Sequence, residues 1–156
     1  LIPEQAKRLV IGKSRIVNQG ENLAILSIGT MLESCKEVVS LLAKKRGVNV
    51  TLVDARFAKP IDKKMLDKLC NTHSSLLIVE EGAPGGFSAQ VMQYIVNSGH
   101  LDLHFKMRAV TLPDRIIEHA EHNVQLKSAG LDVFGLFKQS ENLIFNQVEM
   151  GKIAQT

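Results

Sequence analysis

The chain has 156 residues, 45% of them hydrophobic and 22% charged, with a formal net charge of +3. That length gives one domain a proper core and is short for two, and the composition excludes a disordered or fibrous chain. Lysines and arginines are interspersed with carboxylates rather than gathered in a stripe, and no apolar run reaches the roughly twenty residues that span a bilayer, so neither nucleic acid nor membrane is an expected partner.

Residues 1–22 are polar apart from Leu9-Val10-Ile11 and Ile16-Val17. They read as a linker arriving from upstream and one edge strand. Leu1-Ile2-Pro3 is followed at once by charged residues, which is no signal peptide, and a fragment of a longer protein is the expectation. Residues 23–28 (LAILSI) form a buried strand that ends at Gly29. Thr30 and Glu33 have the spacing of a capping box for a helix whose apolar face carries Val38, Val39, Leu41, Leu42 and Ala43. Lys44, Lys45 and Arg46 complement the dipole at its end, and Gly47 stops it.

Residues 48–53 are the next strand, and Pro60 prevents it from continuing past the loop. Asp62 caps a helix with Met65, Leu66, Leu69 and Cys70 on one side. Residues 75–79 are a third strand, followed by a helix over 87–96 that turns Val91, Met92, Ile95 and Val96 inward. Residues 105–112 alternate as a strand with one wetter face, and Pro113-Asp114 breaks it. A polar helical pattern starts at Glu118, and residues 126–132 mark a stop and a new cap. A last helix begins over 133–137, and from Gln139 the pattern weakens into a tail that frays in part. Strands alternating with helices predict a three-layer α/β/α fold around a mostly parallel, mixed sheet of about five strands.

No complete catalytic or metal-binding set is visible. His119 and His122 are spaced i, i+3, as if on one helix face, but form no H-E-x-x-H pattern, and a solvated helical face accounts for them. Cys35 lies early in a helix, where a thiol can be acidified, yet lone cysteines in apolar helices are mostly core, and Cys70 is the same case. The loop Gly82-Ala83-Pro84-Gly85-Gly86 opens a helix whose free N–H groups could hold an anion. It lacks the lysine of a phosphate loop, and a tight turn with close helix–strand packing explains its glycines better. Glu80 and Glu81 are adjacent at a strand end, so alternation sends one to each face and they make no acid–base pair. Asp54 and Arg56 share one side of an extended segment, and with Lys59 and Asp62 could form an ion-pair network at the sheet's upper edge. Catalytic, cofactor-binding and metal-binding residues are therefore expected to be absent from this chain.

Five stretches in order carry a family resemblance. They are Ile11-Gly12-Lys13-Ser14-Arg15-Ile16-Val17, the strand and turn over 23–31, Asp54-Ala55-Arg56-Phe57-Ala58-Lys59-Pro60-Ile61-Asp62, Val79-Glu80-Glu81 with Gly85-Gly86-Phe87, and Leu112-Pro113-Asp114 with Ala129-Gly130-Leu131-Asp132. Together they resemble the C-terminal domain of the 1-deoxy-D-xylulose-5-phosphate synthases, thiamine-diphosphate enzymes of the transketolase family. Ser14 stands where that family usually has glycine, and the sequence after Phe134 does not align with it.

The resemblance implies residues 1–22 as a linker and edge strand, 23–138 as a transketolase C-terminal-like domain and 139–156 as a tail. It implies a parent enzyme that binds thiamine diphosphate and magnesium in its first two domains. That enzyme decarboxylates pyruvate and passes the two-carbon unit to glyceraldehyde 3-phosphate at the head of non-mevalonate isoprenoid synthesis. The cofactor signature and the Y-P-R-G segment of those domains do not occur here. This chain is then expected to bind no cofactor, to pack on the upstream domains and to help form a homodimer. Asp54, Arg56, Lys59, Glu81, Gly85 and Gly86 are the candidate interface residues. The two cysteines favour a reducing compartment, so a bacterial cytoplasm is expected, with a plastid compatible if a transit segment lies upstream. Two alternatives stay open: the C-terminal domain of another transketolase-like enzyme, such as a 2-oxo-acid dehydrogenase β subunit, and a free-standing ligand-binding α/β domain.

Overall fold

Apolar runs without alternation need cover on both faces, and three short ones build the centre of the sheet. In the computed structural model, which describes residues 8–103 and 105–145, these are β2 (Leu23–Ser27), β3 (Thr51–Asp54) and β4 (Ser75–Val79), buried at every position. The chain also forms β1 (Arg15–Asn18), α1 (Met31–Arg46), α2 (Lys63–Thr72), α3 (Phe87–Asn97), a 3-10 turn (His100–Leu103), β5 (Lys106–Val110), α4 (His122–Ala129) and α5 (Val133–Phe145). The sheet order is β1-β3-β2-β4-β5, with β1 antiparallel to β3 and every other pair parallel. The expected mixed, mostly parallel sheet is what forms.

Alternate residues of each central strand enter separate cores. Leu23, Ile25, Leu52, Leu77 and Val79 pack with α1, α4 and α5 through Val38, Leu42, Leu126, Leu136 and Leu143. Ala24, Leu26, Val53, Leu76 and Ile78 pack with α2 and α3 through Leu66, Leu69, Phe87, Val91 and Ile95. The result is the three-layer α/β/α arrangement. β2 leads through α1 to β3 on one side of it, while β4 leads through α3 to β5 on the other. The crevice outside the C-terminal ends of β2 and β4 is therefore the topological switch point, the usual meeting place for ligands or partners in an open parallel sheet.

Several local signals act as the sequence indicates. Gly47 and Gly130 close α1 and α4 in the left-handed conformation, each donating its N–H back to the last turn. Asp62 caps α2, accepting from the Met65 N–H at 3.3 Å. Asp132 accepts from the Gly135 N–H at 3.0 Å at the start of α5.

Other expectations change. Thr30 precedes α1 but makes no side-chain cap, and Glu33 pairs with Lys36 at 2.7 Å instead of reaching back. The ladder of β3 starts at Thr51 rather than at residue 48, because Gly20 lies across the Asn49–Val50 peptide. A Cβ on Gly20 would come within 2.4 Å of the Val50 carbonyl carbon. Val96 is half exposed rather than inward, being one step round the helix from buried Ile95. Helix α4 starts at His122, not Glu118, since Glu121 is extended with ψ at 143°. Helix α5 runs past Gln139 to Phe145, buries Ser140 and Leu143, and is tied to α1 by the Arg46–Glu141 ion pair. Residues 1–7 of the expected linker and 146–156 of the expected tail lie outside the described residues.

Candidate functional site

The C-terminal ends of β2 to β5 share one edge of the sheet, and the residues singled out from the sequence gather there in two groups. The first is at the end of β3. Its last residue, Asp54, is buried and faces Arg15 across the antiparallel ladder. Asp54 Oδ2 accepts from Arg15 Nε at 3.0 Å, and its Oδ1 accepts from the Arg56 N–H at 3.0 Å. The Phe57 N–H donates to the Ala55 carbonyl at 2.6 Å, with Arg56 between them at φ +60°. A three-residue turn with a positive-φ centre is a strained backbone form, and for an arginine it has to be held by its surroundings. The Asp54 carboxylate does this, by the side-chain-to-backbone bond aspartate often makes two residues on. The Arg56 guanidinium itself only reaches the limit of an ion pair, with Nε 4.0 Å from Asp54 Oδ2.

The expected four-residue network divides at this point. Asp62 pairs with Lys13 at 3.2 Å and also accepts from the Ser14 N–H and hydroxyl at 3.1 and 3.0 Å. Burial pushes the Asp62 carboxyl upward, but these bonds and the one from Met65 outweigh it and hold the group below the ordinary carboxylate range. Lys59 is exposed and joins neither cluster. Sequence reasoning missed Lys13 and Arg15, which stand 49 and 39 residues from their partners.

The second group lies around the end of β4. Glu80 is buried and turns toward α3, where its two oxygens accept from the Phe87 and Ser88 N–H groups at 2.8 and 2.9 Å. The free amides that made the glycine loop a candidate anion site are thus occupied by a carboxylate of the same chain, which also complements the dipole of α3. Glycine is favoured here for two different reasons. Gly85 sits at φ +97°, whereas a Cβ on Gly86 would stand 2.3 Å from Glu80 Oε1.

Glu81 turns the opposite way, as alternation requires. It accepts from the Thr30 hydroxyl at 2.6 Å, and His122 Nε2 lies 2.6 Å from its other oxygen. The Thr30 hydroxyl first, and His122 second, hold the Glu81 carboxyl below the usual range against the opposing effect of burial. The side chain that the sequence assigned to capping α1 therefore joins α1, β4 and α4 at the topological switch point. His122 was legible only as a solvated histidine, because nothing local marks Glu81 as its partner.

The remaining candidates have structural surroundings. Burial pushes the Cys35 thiol up to about 12 and, with Asp67 adding to the effect, Cys70 to about 11, so neither is a ready nucleophile at neutral pH. His119 lies in an exposed loop ahead of α4 and does not share a helix face with His122. His73 is buried with Nε2 2.7 Å from Thr51 Oγ1, and His100 Nε2 is 2.9 Å from Asp67. Among the described residues, no three histidine, cysteine or acidic side chains converge as a metal site.

Comparison with known proteins covers most of this architecture. The family model described as transketolase, C-terminal domain, matches residues 12–135, a span that includes both clusters. The fold is also similar to a solved structure described as a split-gene transketolase, an inactive β4 tetramer, with a TM-score of 0.78 and 19% identity over 92% of this chain. The chain spans 46% of the length of that relative.

Two outcomes follow from the site. Gly86→Ala should cost about 1–3 kcal/mol in urea unfolding by crowding Glu80. Glu80→Ala should cost about 1–3 kcal/mol for each buried N–H it leaves unpaired. The double variant should lose clearly less than the sum, because the clash needs the carboxylate; strict additivity would separate the two residues. For Glu81, the folded-state value lies below the ordinary 4.5, so its contribution is complete above 4.5 and disappears as pH falls through the lowered value. The stability gap between wild type and Glu81→Gln should accordingly close in acid. A gap independent of pH would show that the charge of Glu81 plays no part.

Proposed function

Since the chain belongs to the transketolase C-terminal domain family, we propose that it is the third domain of a 1-deoxy-D-xylulose-5-phosphate synthase and serves to pack and dimerise that enzyme. The whole enzyme would condense pyruvate with glyceraldehyde 3-phosphate, releasing carbon dioxide, in non-mevalonate isoprenoid synthesis. Thiamine diphosphate and magnesium would be held by the upstream domains. Among the described residues no helix is long and apolar enough to cross a membrane, and we assign the enzyme to the cytoplasm.

One observation carries this reading. The two loops with the closest resemblance to the synthases, 54–62 and 79–87, leave the same end of the sheet on either side of β2, and their buried charged groups are already satisfied within the chain. A pyrophosphate would need the α3 amides that Glu80 holds, so the residues here do not fit the cofactor. Groups placed at a strand-end edge, rigid and without a nucleophile, suit contact between domains. In this reading Asp54, Arg56, Lys59, Glu81, Gly85 and Gly86 shape the contact surface, and the segment before Leu23 brings the chain in from the upstream domains.

The reaction distinguishes this enzyme from others of the family. Supplied with thiamine diphosphate, magnesium, pyruvate and glyceraldehyde 3-phosphate, the complete polypeptide is expected to form 1-deoxy-D-xylulose 5-phosphate with stoichiometric carbon dioxide. Acyl transfer to a lipoyl acceptor, with no use of the aldose phosphate, would identify a 2-oxo-acid dehydrogenase β subunit instead.

A further inference from the structure

The β1–β3 edge carries more positive charge than its own carboxylates balance. Lys13, Arg15, Arg56 and Lys59 stand there against Asp54 and Asp62. Asp54 is shared by two arginines, and its oxygens are taken by Arg15 Nε and the Arg56 backbone, so among the described residues the Arg56 guanidinium makes no hydrogen bond. Arg56 nonetheless occupies a strained φ of +60°, fixed by that same carboxylate. Backbone strain that presents a part-exposed guanidinium, with no hydrogen-bond partner among the described residues, has no use in holding this fold together. Helix α2, which follows, opens with Lys63 and Lys64, and the one acidic group at its start, the N-cap Asp62, is already paired with Lys13.

A second feature borders the same edge. Leu9, Val10 and Ile11 are 51%, 67% and 73% exposed, immediately before Gly12, whose missing side chain lets Pro60 of the β3 loop come close. Exposed apolar residues beside an arginine are the composition of a protein–protein contact rather than of a solvated strand edge.

We propose that this edge receives a carboxylate: a glutamate- or aspartate-bearing segment of the upstream part of the same enzyme docks on Arg56, flanked by Lys13, Arg15 and Lys59, and covers Leu9 to Ile11. The proposal rests on the reading of this chain as one domain of a larger enzyme. A guanidinium presents paired donors in the geometry of a carboxylate, and the surplus positive charge of the edge selects an acidic surface over a basic one.

The test uses the whole enzyme carrying Arg56→Lys, treated with a water-soluble carbodiimide, which joins an amine to a carboxylate it touches. Mass spectrometry is expected to find position 56 linked to an upstream aspartate or glutamate. Separately, amides of residues 9–11 should exchange with solvent more slowly in the whole enzyme than in this chain alone, and Arg56→Ala should accelerate them by roughly tenfold or more. Protected residues 9–11 with links from position 56 only to Asp54, or with none, would overturn the carboxylate and leave the packing reading standing. Exchange as fast in the whole enzyme as in the isolated chain would show the edge to be bare, and would overturn the packing reading as well.

Discussion

A carboxylate largely shielded from water must find donors, and the donors that Glu80 finds fix the working edge of this domain. Its two oxygens take the first amides of α3 and so join the end of β4 to the helix that follows it. The loop between them must then pass close to the carboxylate, so a side chain at Gly86 would crowd Glu80 off those amides. An unpaired donor buried there would cost about as much as a fair share of a domain's net stability. The path of the glycine loop and the start of α3 both follow from that one contact.

The same device recurs across the edge. Asp54 holds the backbone of Arg56 and the side chain of Arg15, Asp62 holds the leading segment through Ser14 and Lys13, and Glu81 holds Thr30 and His122. In each case a carboxylate at or just after a strand end, or at a helix start, fastens a second element that is distant in sequence. The donors that could have bound a phosphate and the carboxylates that could have bound a metal are used on each other in making the surface rigid. What remains available outward is the Arg56 guanidinium, a neighbouring lysine and a short apolar run, which is the chemistry of recognition between protein surfaces.

Much of the fold was legible because its signals are local. Apolar runs at 23–28 and 75–79 without alternation mark buried parallel strands, Gly47 and Gly130 stop helices, and Asp62 and Asp132 start them. The opposite directions of Glu80 and Glu81 also follow from strand alternation alone. What the sequence hid depends on tertiary closeness. Nothing near Thr30 says that its hydroxyl will leave the helix end for Glu81, and nothing near Asp54 announces Arg15. The use of Glu80 had a faint signal, a strand-end glutamate followed after a glycine-rich loop by a helix lacking any capping side chain. The start of α4 was misplaced because residues 118–123 are almost all polar, so periodicity gave no boundary.

The central claim is that this edge is a prebuilt contact surface whose anion-binding donors are already committed. A calorimetric titration of the chain with thiamine diphosphate and magnesium tests it most directly. The account predicts no heat of binding beyond dilution, and the same result with Mg alone. Saturable binding would contradict it, since the cofactor would then have displaced Glu80 from α3 or found donors that the described residues do not offer.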